Sequence, residues 1–148
     1  MLIKTIGIIL FFVITFFIVY EFSKEKGKPS KPILDFRQTE CFGTCPVYSA
    51  TIYEDGAVEY HGEKHVDVKG HKKFKLSKGA MLDLKNKIKQ LDPLELKSEY
   101  DGNITDLPST YITFYLGDNV VKKVRARWQI PKNLFDFIES TNGLILGL

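Results

Sequence analysis

The sequence has 148 residues, a formal net charge of +3 and a hydrophobic fraction of 44%. This length fits one domain with an appendage, and so small a net charge gives no reason to expect a nucleic acid as a partner. The 2 cysteines exclude a disulfide-rich scaffold and leave room for one bridge or one small site.

An apolar run opens the chain. Residues 6–20 contain no charged side chain, and with the residues before them they reach the length that a membrane-spanning helix needs. We therefore predict a transmembrane anchor over residues 2–22, a linker over 23–32 and one folded domain over 33–148. A cleaved signal peptide is the alternative, but no small-x-small cleavage site follows the run.

The sequence gives two opposing indications for the orientation of this anchor. Lys24, Lys26, Lys28 and Lys31 follow the span, and by the positive-inside rule they place the domain in the cytoplasm. A cysteine pair instead favours an oxidising compartment, and long domains translocate largely regardless of charge. We expect a single-pass membrane protein with an extracytoplasmic domain.

The first half of the domain is rich in β-forming residues. Five runs are predicted as strands: residues 33–38, 47–54, 57–61, 64–68 and 72–76. The dipeptide Asp55-Gly56 predicts a two-residue hairpin turn between the second and third of them. That turn pairs Tyr53 with Val58, so we expect Tyr53, Val58 and Tyr60 to face the core.

A helix is predicted next. Ser77 is a suitable N-cap, and Pro93 ends the apolar pattern that follows it. The apolar side chains that recur on one helical face are Met81, Leu84, Ile88 and Leu91.

A second hairpin and a second helix complete the predicted domain. In residues 111–116 and 120–128, the side chains expected on the core face are Ile112, Phe114, Leu116, Val120, Val124, Ala126 and Trp128. A three-residue loop opposes Ile112 to Val124 and keeps the two apolar faces together. Pro131 suits the first turn of a last helix. The side chains expected to pack this helix on the sheet are Leu134, Phe135 and Ile138.

The order of these elements predicts an α+β fold. Strands come first, and a helix, a hairpin and a last helix follow them. This order is typical of an antiparallel sheet of hairpins with two helices packed on one face. The chain has neither the strict β-α-β alternation of a dinucleotide-binding fold nor a glycine-rich phosphate loop.

The two cysteines lie in one short motif, which runs from Glu40 to Pro46. A disulfide needs Cα atoms roughly 4.4–6.8 Å apart, whereas four extended steps span about 13 Å, so the chain must fold back within the motif. Gly43 permits that return, and Pro46 fixes the exit direction. We interpret Cys41 and Cys45 as a structural disulfide or as two buried thiols.

Two metal-binding alternatives remain open for this cysteine pair. Cys41 and Cys45, followed by His61 and His65, have the spacing of a Cys2His2 zinc site, although these histidines fall on or after a strand. Cys-x3-Cys-Pro on an anchored domain also resembles the motif of copper-delivery proteins of the thioredoxin-like class. Copper is chemically suitable, because soft thiolate ligands select Cu(I). In those proteins a helix follows the motif, whereas residues 47–53 are strand-like. We expect no cofactor and keep a zinc, copper or thiol protein as the alternative.

One sheet face is a weak candidate for binding. The outer face of the second hairpin carries basic and aromatic side chains: Tyr111, Tyr115, Lys123, Arg125 and Arg127. Such faces bind nucleic acids or anionic lipid headgroups, but a solvated face with Tyr–Arg contacts is the simpler interpretation.

The loop that precedes the second hairpin carries side-chain oxygens that could bind calcium, but their spacing matches no standard calcium-binding loop, so we interpret them as turn-forming residues. Those residues are Glu99, Asp101, Asn103 and Asp106. We predict no catalytic residue.

The cysteine motif also carries a family resemblance. The matching residues are Arg37 to Pro46, Tyr48, Asp55-Gly56, Val58, Tyr60, Gly62, Thr105-Asp106, Pro108 and Pro131. They resemble the signature of a bacterial family, domain of unknown function 6438, and the resemblance spans roughly residues 34–144. It implies an envelope protein behind a signal or anchor, with no assigned reaction. We therefore expect a membrane-anchored interaction module, without catalytic activity, for an unknown envelope protein or ligand.

Overall fold

A seven-stranded sheet with two helices on one face makes up the described part of the chain. The computed structural model describes residues 30–102 and 106–147. Its strands are β1 (Pro32–Gln38), β2 (Val47–Tyr53), β3 (Ala57–Lys64), β4 (Gly70–Lys75), β5 (Glu99–Tyr100), β6 (Thr110–Leu116) and β7 (Asn119–Ala126). The helices are α1 (Lys78–Leu91) and α2 (Lys132–Leu146), and Pro93–Glu95 forms a 3-10 turn. The α+β fold is confirmed.

The strand order across the sheet is β4-β3-β2-β1-β6-β7-β5. Five neighbouring pairs are antiparallel, but β5 runs parallel to β7 and pairs Glu99 with Arg125. The sheet is therefore mixed, and the prediction of a wholly antiparallel sheet is wrong at this edge. A two-residue strand carries too little pattern to be found in a sequence, because strand recognition depends on alternation over 4–8 residues or so.

One hydrophobic core lies between the helices and one face of the sheet. Alternate residues of the central strands point into it, as the two-residue strand period requires. The largest of these buried side chains are Leu34, Phe36, Tyr48, Ile52, Ile112 and Phe114. Helix α1 adds Met81 and Leu84, and its N-cap is confirmed because Ser77 Oγ accepts a hydrogen bond from Ala80 N at 3.1 Å.

Helix α2 packs differently from the prediction. Phe135 was expected against the sheet but is 51% exposed, whereas Phe137 is buried with its ring centroid 5.7 Å from that of Phe114. Leu134 and Ile138 are buried as expected. With these two on the inner face, the 3.6-residue period brings Phe137 inward and turns Phe135 to solvent.

The register of the first hairpin is shifted from the prediction by one residue. Ile52 pairs with Val58, and residues 54–56 form a three-residue loop in which Gly56 N donates to Tyr53 O at 2.9 Å. Gly56 has φ +85°, as expected for a turn followed by a glycine bulge. Because side chains alternate with period two, the shift sends Ile52 into the core and Tyr53 to the opposite face. Val58 and Tyr60 face the core as predicted.

The second hairpin reaches the predicted pairing by a different route. Leu116 pairs with Asn119 across a two-residue loop, and a bulge before Lys122 restores the expected pairing of Ile112 with Val124. The predicted three-residue loop is therefore wrong. Beyond the bulge Val120 lies on the face of Tyr115 and is exposed. Leu116, the last residue of β6, is also exposed. Trp128, expected in the core, is also exposed on one side.

The segment after β3 folds back across the sheet edge. Tyr60 Oη donates to Val68 O at 3.0 Å, and His65 has φ +53°. The predicted strand over residues 64–68 is therefore wrong, since β3 extends to Lys64 and residues 65–69 connect it to β4.

The direction of β1 gives the domain two distinct ends. Because β1 is antiparallel to both β2 and β6, the β2–β3 and β6–β7 hairpin tips lie beside its first residue. The loop from β1 to β2, with both cysteines, lies at its other end. Among residues 30–102 and 106–147, no helix is long and apolar enough to cross a membrane. The predicted anchor over residues 2–22 lies outside the described residues.

Candidate functional site

Cys41 and Cys45 form a disulfide, with Cα atoms 5.8 Å apart. The bridge closes the turn between β1 and β2, which we call the cystine loop (residues 41–45). Gly43 N donates to Cys41 O at 2.9 Å, so the chain reverses within the loop as the short spacing requires. This structure matches the structural interpretation of the cysteine pair.

The cystine loop is held against a neighbouring segment by the main chain. Thr39 N donates to Ser109 O at 3.0 Å, and Ser109 N donates to Thr39 Oγ1 at 2.9 Å. Phe42 N donates to Asp106 O at 3.4 Å. The loop is thus fixed by the covalent bridge and by contacts from outside it.

Phe42 projects from this loop. Its side chain is 94% exposed, although a phenylalanine ring usually contributes to a core. Phe42 was not among the candidate residues predicted from the sequence, although a Phe between Cys and Gly in so short a loop was a usable signal.

A row of polar and aromatic side chains crosses the sheet face that the helices leave uncovered, which we call the open face. Cross-strand pairing places its members in the order His71, His61, Ser49, Arg37, Tyr111 and Arg125. The Arg37 guanidinium carbon lies 5.2 Å from the Tyr111 ring centroid, and the His61 and His71 rings stack at 4.2 Å. A concavity beside the cystine loop is lined by Arg37, Ser49 and Glu63. This row joins six strands that only the tertiary fold brings together.

The structure does not bring the proposed zinc ligands together. Cys41 and Cys45 bond to each other, and His61 stacks on His71 rather than meeting His65. Within the part of the chain that the structure describes, no three or more His, Cys, Asp or Glu residues group as they would around a metal ion.

Two basic side chains of the second hairpin, Arg125 and Arg127, have acidic partners. Arg125 Nη1 lies 2.8 Å from Glu99 Oε1, and Arg125 Nη2 lies 3.0 Å from Asp101 Oδ2. Arg127 Nη1 lies 3.7 Å from Asp101 Oδ1. The weak candidates for anion binding therefore belong in part to ion pairs. The same contacts use two carboxylates of the loop considered for calcium, and Asn103 lies outside the described residues.

Tyr115 and Asp35 form a second polar contact on the open face. The Tyr115 hydroxyl donates to Asp35 Oδ2, and the Thr51 hydroxyl donates to Asp35 Oδ1. The bond to Asp35, with some burial, raises the pKa of Tyr115 from 10.0 to about 12. The hydroxyl of Tyr115, one of the candidate binding residues, is thus already hydrogen-bonded to Asp35 within the sheet.

Alkaline titration should reveal this contact. The folded state holds the Tyr115 proton more tightly than the unfolded chain, so the contact stabilises the fold below pH 10 and this stabilisation is lost as the pH rises toward 12. Tyrosinate absorbance should show a group titrating near pH 12 that is missing in Tyr115→Phe. In Asp35→Asn that group should titrate closer to pH 10. An unchanged profile in both variants would contradict the contact.

Comparison with known proteins gives a family match. A family model described as Domain of unknown function (DUF6438) matches residues 32–145, from the first residue of β1 almost to the end of α2. No curated protein matches the chain significantly. The match confirms the family resemblance over nearly the range that the sequence predicts, and it includes the cystine loop.

Proposed function

Because the chain belongs to the family described as Domain of unknown function (DUF6438), and because its disulfide-closed loop displays an apolar ring, we propose that it is a binding domain of the bacterial cell envelope. The apolar run of residues 6–20 supports a membrane tether before the domain. The disulfide supports an oxidising, extracytoplasmic location. The domain acts by binding a protein or another ligand and not by catalysis.

The observation that carries this proposal is the exposure of Phe42 on a fixed loop. An exposed aromatic side chain costs hydration free energy in the unbound protein and favours a partner that covers it. A loop that is already ordered loses little conformational entropy on binding, which favours affinity. The cystine loop therefore combines an anchor side chain with a rigid support, as binding hot spots commonly do.

The open face extends the binding surface from the loop onto the sheet. Arg37 makes no ion pair within the described chain, and its guanidinium keeps free donors above Tyr111. Such donors suit a carboxylate or another planar acceptor on the partner. Aromatic and arginine side chains are enriched in binding hot spots.

A thiol or metal-binding protein acting through Cys41 and Cys45 is the second candidate. In the oxidised form neither sulfur is available as a thiolate ligand, and His61 stacks on His71. This candidate therefore requires reduction of the bridge before any metal binds.

Photocrosslinking in intact cells tests the binding proposal. p-Benzoylphenylalanine in place of Phe42 should give one or a few discrete adducts, because the partner covers that side chain. The matched control is the same replacement of Phe135, which is also an exposed phenylalanine but lies on helix α2. It should give no such adduct.

Two results would count against the proposal. One is the absence of adducts from position 42 under every growth condition in which the protein is expressed. The other is the same adduct pattern from both positions, which would indicate nonspecific encounters rather than a binding site.

A further inference from the structure

The tip of the β6–β7 hairpin exposes a second apolar group. Leu116 is 74% exposed, Val120 is 47% exposed and Val121 is 36% exposed. The bulge in β7 accounts for part of this exposure, because Tyr115 pairs with Val120 and Phe114 with Lys122, which leaves Val121 as the extra residue and puts Val120 on the face of Tyr115. Leu116 keeps the face of Phe114 but is the last residue of β6. Three exposed aliphatic side chains thus lie at one hairpin tip, and we call them the apolar tip.

The apolar tip lies where the described chain begins. Lys31 Nζ is 2.7 Å from Asp118 Oδ2 in the two-residue loop of that hairpin. Glu54 N donates to Lys31 O at 2.8 Å, and Asp55 N bonds Ser30 Oγ at 3.1 Å. These contacts fix residues 30 and 31 between the two hairpin tips, so the preceding segment must leave the domain at this end.

The length of that segment limits how far this end can be from a membrane. Residues 23–29 span at most about 25 Å when fully extended, and a flexible chain of that length averages about 15 Å end to end. Strand β1 alone is about 23 Å long, and it carries the cystine loop at its far end. An anchor over residues 2–22 therefore places the apolar tip toward the lipid and Phe42 away from it.

The charges around the apolar tip suit an anionic lipid surface. Lys122 and Lys123 follow the tip directly, and Lys24, Lys26 and Lys28 precede the domain in the sequence. The acidic groups at this end are partly neutralised, because Asp118 pairs with Lys31 and Asp55 lies 3.5 Å from Lys75 Nζ. Aliphatic side chains with flanking lysines are the combination that binds the headgroup layer of a bilayer.

We propose that the apolar tip inserts into the headgroup layer of the membrane that carries the anchor, and so holds the domain upright with the cystine loop facing away. This inference rests on the proposed membrane tether. It assigns a lipid-contact role to Leu116, Val120 and Val121, and it explains why one hairpin keeps aliphatic side chains in solvent at the end where the tether attaches.

Quenching by brominated lipids tests this orientation. The full-length protein is reconstituted in vesicles of phosphatidylcholine and phosphatidylglycerol with bromine on the acyl chains. Tryptophan replaces Val120 in one variant and Leu116 in a second, both at exposed positions that should tolerate the ring. Phe42→Trp at the far end is the matched control, and the chain's single native Trp128 gives the common background. Quenching should be several-fold greater for the two tip variants than for Phe42→Trp.

The outcomes separate this inference from the tether. If the protein floats with the vesicles but the tip variants are quenched no more than Phe42→Trp, the apolar tip does not contact lipid and the inference is wrong while the tether stands. If the protein is released from the vesicles by alkaline carbonate, the tether itself is wrong and the inference is lost with it.

Discussion

Gly62→Ala should destabilise the domain by roughly 3 kcal/mol, the upper part of the range for overpacked sites. A Cβ atom at this position would lie within 3.0 Å of Val68 O, Tyr60 Oη and Val66 Cγ2. One of these is a backbone oxygen, and it also accepts the hydrogen bond from Tyr60. The segment over residues 65–69 would have to lift off the sheet, with loss of that bond.

Urea unfolding of the full chain in detergent, followed by circular dichroism, measures this effect. The matched control is Gly143→Ala in helix α2, where a Cβ would meet nothing within 4 Å. Alanine is the better helix former, so the control should be stabilised by up to about 1 kcal/mol. Equal midpoints for Gly62→Ala and the unsubstituted protein would show that residues 65–69 do not pack over Gly62 in solution.

The two hairpins show how far local sequence determines register. Asp55-Gly56 correctly locates the first turn, but the dipeptide fits both a two-residue turn and a three-residue loop with a glycine bulge. The two choices differ by one residue in register, and this difference decides which side chains of the strand point to the core. The core decides between them, because burying Ile52 leaves no hydroxyl to satisfy, whereas Tyr53 needs a partner such as Glu59 Oε2, 3.0 Å away.

The second hairpin contains a bulge that no local sequence pattern predicts. The pairing of Ile112 with Val124 was predictable because both residues must face the core. The compensating bulge at Val121 was not predictable, and without it Val120 was expected to face the core. Leu116 was expected in the core too, but it is exposed at the end of β6. The apolar tip therefore emerged only from the structure.

One part of the candidate site could be predicted from the sequence and another part could not. The reversal at Cys41–Cys45 follows from spacing alone, because geometry forces it. The row through Arg37 depends on β1 lying between β2 and β6, and β6 is more than 70 residues away in sequence. Hydrophobic pattern identifies strands but not their neighbours, so such a row cannot be assembled from one sequence.

Replacing both Cys41 and Cys45 by Ser should destabilise the domain by about 2 kcal/mol, the entropy of closing so short a loop in the unfolded chain. The fold should persist, because the hydrophobic core contains neither cysteine. Urea unfolding without reductant measures the loss. Treating the unsubstituted protein with dithiothreitol is the control, and it should lower the midpoint to that of the variant.

The same variant separates the two candidate functions. If the bridge only supports Phe42, the folded Ser variant should give weaker adducts from the probe at position 42, because the loop is ordered less often. A thiol or metal protein instead requires an anaerobic Cu(I) or Zn(II) affinity in the reduced protein that disappears in the variant. Cu(I) binding that is lost with both sulfurs, together with unchanged crosslinking at position 42, would favour the metal candidate. Weaker crosslinking with no difference in metal affinity would instead establish the disulfide as the support of a binding loop.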